Sequence, residues 1–310
     1  MTDYPKSLPE FQQRFPDDEA CASWLFDLRW PNGFECPGCG HDKCWTLSCR
    51  SWTYECKGCR RQTSIRAGTL MHASNLPLTI WFWAAYLMAT HSNGFSAVQL
   101  QKQLGLGSYR TAWLLLGKLR AAMIDPDRNP LSGLVEVDET SIRQRTGNGP
   151  VGVGRSHEGK LMIAGAVEIK GQGAKTHPGR LRLAVIADYT SETLHDFVAT
   201  EIATGSSIKT DGLASYNNAP NMDHDRNVVG DQLAHLVLPW IHRVFSNFKA
   251  WALGVYHGLR AKHLQSYLDE FVFRFNRRRY RHAGLKTLLN LVTKRQPMTY
   301  KMLIGAEQSA

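Results

Sequence analysis

Two kinds of side chain in this 310-residue sequence sit at spacings that chemistry uses. The first is cysteine. Cys36-Pro37-Gly38-Cys39 and Cys56-Lys57-Gly58-Cys59 are C-x2-C turns with 16 residues between them, the spacing of a structural Zn2+ site. Each glycine-assisted turn aims two thiolates at one point, and Trp45–Tyr54 can fold as a hairpin that brings the turns together. The competing reading is a chance or redox pair of turns. All seven cysteines fall within the first 59 residues, and an odd number without a secretory leader argues for metal over disulfides. Cys21, Cys44 and Cys49 are out of register and read as free thiols.

The second kind is aspartate at the end of an apolar run. Leu134-Val135-Glu136-Val137-Asp138-Glu139-Thr140 reads as a buried strand that ends on a carboxylate, and Ser207-Ile208-Lys209-Thr210-Asp211 repeats the design 73 positions later. A carboxylate on a core strand is costly unless a cation meets it, and a divalent metal is a ready partner. A strand-end aspartate that caps a turn remains the alternative for each. Phosphoryl transfer on two metals needs a further oxygen ligand, and it should come from a helix after the second aspartate. Leu238–Trp251 suits that helix: Pro239 can open it, and Val244, Phe248 and Trp251 fall on one buried face. It carries Asn247, whose amide oxygen can ligate a hard metal, and His242 and Lys249, which could touch phosphates. The residues alone favour a surface asparagine, a packed histidine and a solvated lysine.

The elements that must position these groups follow from pattern. Residues 1–35 form an N-terminal helical segment and 36–70 the zinc ribbon, made basic by Arg50, Lys57, Arg60, Arg61 and Arg66. Residues 77–124 are helical. Leu78–Thr90 is apolar nearly all round, and Ser96–Leu104, a glycine turn and a helix opening at Ser108 give the helix-turn-helix pattern. Its second helix is expected to expose Tyr109, Arg110, Lys118 and Arg120 to DNA; an ordinary helical hairpin has the same text. Asp125–Pro130 breaks the chain. Strands follow at Leu131–Ile142, Lys160–Lys170 and Gly179–Asp188, with a Gly-rich basic loop between the first two that reads as mobile. A helix capped by Ser191 and the strand ending at Asp211 come next. Three strands, a helix and a fourth strand is the order of ribonuclease-H-like folds, in which strands one and four are neighbours. The fold class is thus α/β (α+β), with a catalytic domain over 131–285 and a helical tail over 286–310. Leu264–Asn276 is amphipathic, with Asp269 and Glu270 on its solvated side. Arg274, Arg277, Arg278, Arg279 and Arg281 suit a DNA backbone or a charged helix end.

A net charge of +10 favours a polyanionic partner, and 43% hydrophobic residues fit a globular protein. No apolar run spans a membrane and no leader pattern opens the chain, so the expectation is a cytoplasmic, nucleoid-associated protein.

The text also resembles insertion-sequence transposases of the DDE/N class, the group with an N-terminal zinc ribbon and an ISXO2-like catalytic domain. The resemblance rests on Arg29-Trp30-Pro31-Asn32-Gly33-Phe34 with Cys36-Pro37-Gly38-Cys39-Gly40. It continues through Val135–Thr140, Thr210-Asp211-Gly212, Ser246-Asn247-Phe248-Lys249, Gly254–Leu259 and Lys262–Phe271, and ends with Arg274-Phe275-Asn276-Arg277-Arg278. It implies Asp138, Asp211 and Asn247 as ligands of Mg2+ or Mn2+, with Lys249 as an accessory basic residue. It also implies terminal inverted repeats and target DNA as substrates, and a homo-oligomer on DNA. Many transposases of the wider class carry Glu at the third position, so Asn247 departs from them and leaves room for Glu139, Asp269 or Glu270 to assist. A zinc-ribbon regulator without catalysis, another ribonuclease-H-like nuclease and a degenerate transposase are the rival readings.

Overall fold

The computed structural model describes residues 4–124, 127–144, 159–211, 213–217, 223–226 and 237–305. Of the Gly-rich loop expected to be mobile, Arg143–Lys160, residues 145–158 lie outside these residues, as do Asp125 and Pro126 of the breaker and Gly212 of the second acidic motif. The chain divides into two compact units, Met1–Asp125 with Arg279–Ala310, and Pro126–Arg278.

In the first unit, α1 (Leu8–Arg14) and α2 (Asp18–Arg29) precede a three-stranded antiparallel ribbon of β1 (Cys44–Thr46), β2 (Thr53–Cys56) and β3 (Gln62–Ser64). The helices α3 (Leu78–Thr90), α4 (Ala97–Gln103) and α5 (Tyr109–Ala122) follow. α3 starts at Pro77 without a side-chain cap of its own. Asp18 of α2 supplies one, accepting from Leu78 N at 3.0 Å and Thr79 N at 2.8 Å. Arg29 ties α2 to the ribbon by donating to the carbonyls of Ser64, Ile65 and Ala67. α4 opens with a capping box of Ser96 and Gln99, and Ser108 caps α5. The C-terminal helix α9 (Ala283–Lys294) packs on α2, α3 and α5, and the short α10 (Tyr300–Ile304) on α5. The residues read as a tail, 286–310, therefore fall in the unit that carries the ribbon.

The second unit is built on a five-stranded sheet. Its strands are β4 (Leu134–Arg143), β5 (Lys160–Lys170), β6 (His177–Ile186), β7 (Ser207–Thr210) and β8 (Asp223–Arg226), in the order β6-β5-β4-β7-β8. β4, β5 and β6 form an antiparallel meander, and β7 and β8 run parallel to β4. This is the ribonuclease-H-like arrangement expected from the order of elements. Helix α6 (Ser191–Glu201) covers one face through Leu194, Phe197 and Val198 against Val135, Val137 and Ile208. Its cap is Thr190 rather than Ser191, with the Thr190 hydroxyl accepting from Thr193 N. Helices α7 (Pro239–Tyr256) and α8 (Leu264–Asn276) cover the other face against Ile163, Val167, Leu181 and Leu183. β6 is an edge strand, and α8 serves its edge groups: Gln265 accepts from Val185 N at 2.9 Å, and Asn276 accepts from Leu181 N at 2.7 Å and donates to Leu181 O at 3.2 Å. Asp269 and Glu270 are not a solvated face. Both are buried, Asp269 accepting from Gln265 Nε2 and Glu270 from the Tyr256 hydroxyl.

Glu168 of β5 pins the start of the sheet. Its side chain is 1% exposed, and its carboxylate accepts from Ser132 N at 3.0 Å, from Arg180 N at 3.2 Å and from Arg180 Nη2 at 2.6 Å. Burial alone would raise its pKa, but the Arg180 and backbone hydrogen bonds outweigh burial and hold it at about 2. A depressed folded pKa contributes stability above the unfolded value and loses it as pH falls through the folded one. Glu168→Gln is therefore expected to cost about 2 kcal/mol at pH 7, with Arg180's partial exposure discounted. In urea melts the gap to the wild type should narrow from about pH 4.5 downward, toward about pH 2.

Candidate active site and zinc centre

The four cysteines of the ribbon converge. The sulfurs of Cys36, Cys39, Cys56 and Cys59 all lie within 4.8 Å of one another, with Cys36–Cys59 and Cys39–Cys56 both at 3.6 Å. A tetrahedral ion about 2.3 Å from each sulfur sets them roughly 3.8 Å apart, so the set fits zinc without rearrangement. The backbone N–H groups of Gly38 and Gly58 donate to Cys36 and Cys56, as expected where thiolates are held in tight turns. Cys21, Cys44 and Cys49 stand outside this set. Cys21 lies on the buried face of α2, and burial pushes its thiol up to about 12, so it stays protonated.

The second site is on the α7 side of the sheet. β4 alternates: Val135, Val137 and Glu139 face α6, while Glu136 and Asp138 face α7. Glu136 Oε2 accepts from Trp240 N and Ile241 N, both at 2.9 Å, so a strand carboxylate caps the first turn of α7 and fixes that helix over β4. Two residues on, Asp138 is 4% exposed, and its Oδ2 lies 3.5 Å from His242 Nε2. Asp138 pairs across the sheet with Gly165, where a Cβ would stand 2.7 Å from the Phe245 ring and 3.0 Å from Ile241. Only glycine there lets α7 approach the strand closely enough for this contact.

Asp211 follows β7. The parallel register pairs Leu134 with Ser207 and Glu136 with Lys209; continued two residues further, it would set Asp138 level with Asp211. Adjacent strands lie about 4.8 Å apart. Asp211 is half-buried, and its Oδ1 accepts from Leu213 N at 3.0 Å. Burial pushes the Asp138 carboxyl well above its usual range, and the negative charges of Glu139 and Asp211 add to the shift. A buried carboxylate among like charges is a place for a cation, and this environment fits a divalent metal. Glu139 turns to the other face, where the Tyr216 hydroxyl donates to its Oε2 at 2.9 Å.

α7 presents Lys249 to the site: burial lowers its pKa, and the Asp138 charge opposes that. Asn247 is exposed. At 3.6 residues per turn it lies about 140° round α7 from His242, so the helix does not carry it to Asp138 beside His242 and Lys249. The residues expected at a DNA surface also divide. Tyr109 and Arg110 are exposed at the start of α5, with the Arg110 guanidinium over the Tyr300 ring at 4.2 Å. Lys118 and Arg120 are buried, contrary to the exposed face expected of them. Lys118 Nζ donates to Leu70 O at 2.9 Å because α9 and α3 pack on the flanks of α5 that the helical pattern left open. Arg274 is 11% exposed beside Glu270, Arg277 stacks over Phe273 at 3.9 Å, and Arg278 donates to the carbonyls of Phe275, Gly179 and Pro178. This cluster braces α8, and the sequence missed it because all three arginines read as free charge.

The family model of the ISXO2-like transposase domain matches residues 130–276, and that of the transposase zinc-ribbon domain matches residues 16–62. The chain thus carries an ISXO2-like transposase domain preceded by a transposase zinc ribbon. It is also 29% identical over 133 residues to a protein of Halobacterium salinarum described as an uncharacterized protein in transposable element ISH50. That match covers 42% of this chain and 43% of the relative, so the chain spans less than half the length of the curated relative it matches. No solved structure matches. The ribbon cluster of this ISXO2-like chain is a structural Zn2+ site. Among the described residues no helix is long and apolar enough to cross a membrane.

Proposed function

We propose that the chain is a transposase that binds the terminal inverted repeats of an insertion sequence and performs metal-dependent DNA cleavage and strand transfer. The observation that carries this reading is the parallel pairing of β4 with β7, with Asp211 just past the end of β7 and its charge acting on buried Asp138. Asp138 and Asp211 would hold Mg2+ or Mn2+, and α7 would add a third ligand. Bound ions there would activate water or a 3′-hydroxyl and stabilise the leaving oxygen. Lys249 sets an ammonium beside the acidic pair, where a scissile phosphate would lie, and offers it a hydrogen bond. Hydrolysis at an element end frees a 3′-hydroxyl, which then attacks a target phosphodiester in line.

The ribbon and the α4–α5 pair hold the element ends, with Tyr109 and Arg110 at the start of α5 as the reading residues. The protein acts as a homo-oligomer on paired ends, in the cytoplasm. Arg110→Ala should reduce the slope of log affinity against log salt by about one, while Lys118→Met, buried, should leave that slope unchanged. Gel-shift titrations over a salt series measure both.

The test of the function is a cleavage and strand-transfer assay on the element's own ends with Mg2+ or Mn2+, with Asp138→Ala and Asp211→Ala as controls. Joined products that vanish in both variants support the reading. Binding of the ends without cutting by the wild type would make the chain a zinc-ribbon regulator, and cutting without joining would make it a nuclease of other purpose.

A further inference from the structure

We infer that the outer face of the zinc ribbon is a platform for unpaired DNA, on which Trp45 stacks a base while Lys57 and Arg60 hold the flanking phosphates. The inference rests on the reading of the chain as an enzyme that cuts and joins DNA, and names what the ribbon holds of a cut end.

Side chains alternate along a strand, so the ribbon has two faces, and here they differ in character. Tyr54 of β2 points inward and packs with Phe26, Trp30 and Phe34. Its neighbour Glu55 points outward, and the antiparallel register sets Trp45 of β1 and Gln62 of β3 beside it. The row Trp45, Glu55, Gln62 thus crosses the open face. Trp45 is 42% exposed, with Lys57 Nζ 5.1 Å and the Arg60 guanidinium 4.6 Å from the centre of its ring. Arg50, Lys57 and Arg60 are all exposed, and the one carboxylate among them, Glu55, accepts from Arg60 and Gln62. Arg66 does not belong to this face, because it donates to Ser74 O.

The backbone singles out Arg60 as well. Each zinc turn is followed by a residue in the left-handed region, φ 72° at Gly40 after Cys39 and φ 61° at Arg60 after Cys59. Glycine adopts that conformation freely, whereas arginine is held there against its preference. A side chain kept at such a position points to a use for it. This one carries its guanidinium over the exposed indole.

An exposed ring flanked by cations suits a strand whose bases are free to stack. Duplex DNA offers base edges in its grooves and no ring face. Cutting and joining can supply an unpaired strand: wherever two strands are cut at different places, the nucleotides between the cuts lose their partners. Stacking tolerates any sequence, so the platform holds an end without reading it, a role separate from that of Tyr109 and Arg110.

The test is fluorescence anisotropy of the zinc-loaded full chain with a labelled element-end duplex, either blunt or extended by a single-stranded oligothymidylate tail. The wild type should bind the tailed end about tenfold more tightly than the blunt one, Trp45→Ala should remove that preference, and Trp45→Phe should retain most of it. Arg60→Gly, which gives the second turn the residue found in the first, should keep its zinc. It should lower the slope of log affinity against log salt for the tailed end by about 0.7, the share of one single-strand phosphate contact. A wild type with no preference for the tail, or a preference that survives in Trp45→Ala, would overturn the platform. A Trp45-dependent preference in a chain that joins no ends would support the platform and overturn the transposase reading. Cutting and joining without any tail preference would do the reverse.

Discussion

Asp138→Asn is expected to abolish cleavage and strand transfer while raising the thermal stability of the metal-free protein. The activity loss follows from the several kcal/mol of transition-state stabilisation that bound ions supply; at 1.36 kcal/mol per decade this is a fall of roughly a thousandfold or more. The gain in stability has a separate cause. Asp138 is buried, and Glu139 and Asp211 bring further negative charge to it, so the ionised side chain opposes folding when no cation is bound. Asparagine keeps the shape and removes the charge. In chelator, Asp138→Asn should melt about 3 °C or more above the wild type, and added Mn2+ should raise only the wild type. Calorimetric scans with and without metal measure it. A residue that served only to cap a turn would show the opposite: a lower melting temperature and unchanged chemistry.

Cys56→Ala, or removal of zinc by a strong chelator, should unfold the ribbon and end DNA binding while the second unit keeps its fold. Metal binding to such a cluster is worth about 10 kcal/mol or more, and three short strands cannot replace it. The consequences spread through the first unit. Tyr54 of β2 packs with Phe26, Trp30 and Phe34, and Arg29 of α2 donates to three carbonyls at the ribbon's end. Loss of the ribbon should therefore loosen α2, and its amides should lose protection from hydrogen exchange together with those of β1–β3. Mn2+ binding at Asp138 and Asp211 should persist. Parallel loss of protection in β4–β7 would contradict this.

Much of the second unit is legible in the sequence because its strands carry their own pattern. Apolar periodicity alone bounds Lys160–Lys170 and Leu264–Asn276, and Asp211 stands where an apolar strand stops; Asp138, expected at a strand end, instead sits in mid-strand because β4 runs on to Arg143 in its pairing with β5. The cysteine spacing is legible for a simpler reason, since two tight turns and a hairpin leave the thiolates few places to go. What the sequence hid was decided by packing between distant segments. Lys118 reads as an exposed cation on α5 until α9, more than 160 positions later, packs on that helix. Asp269 and Glu270 read as solvated until Gln265 is seen serving the β6 edge and Tyr256 reaching across from α7. Asn247, to which the family resemblance points, is exposed on α7, and which side of that helix meets β4 is set by Glu136 and Gly165, far away in the chain. Glu136 itself carried a signal that was available, an acidic residue on the inward face of a core strand two positions before Asp138.

The most direct measurement is anomalous diffraction from crystals soaked in Mn2+. The account predicts a manganese peak about 2 Å from a carboxylate oxygen of both Asp138 and Asp211. A peak elsewhere, or the two carboxylates too far apart to share an ion, would contradict it.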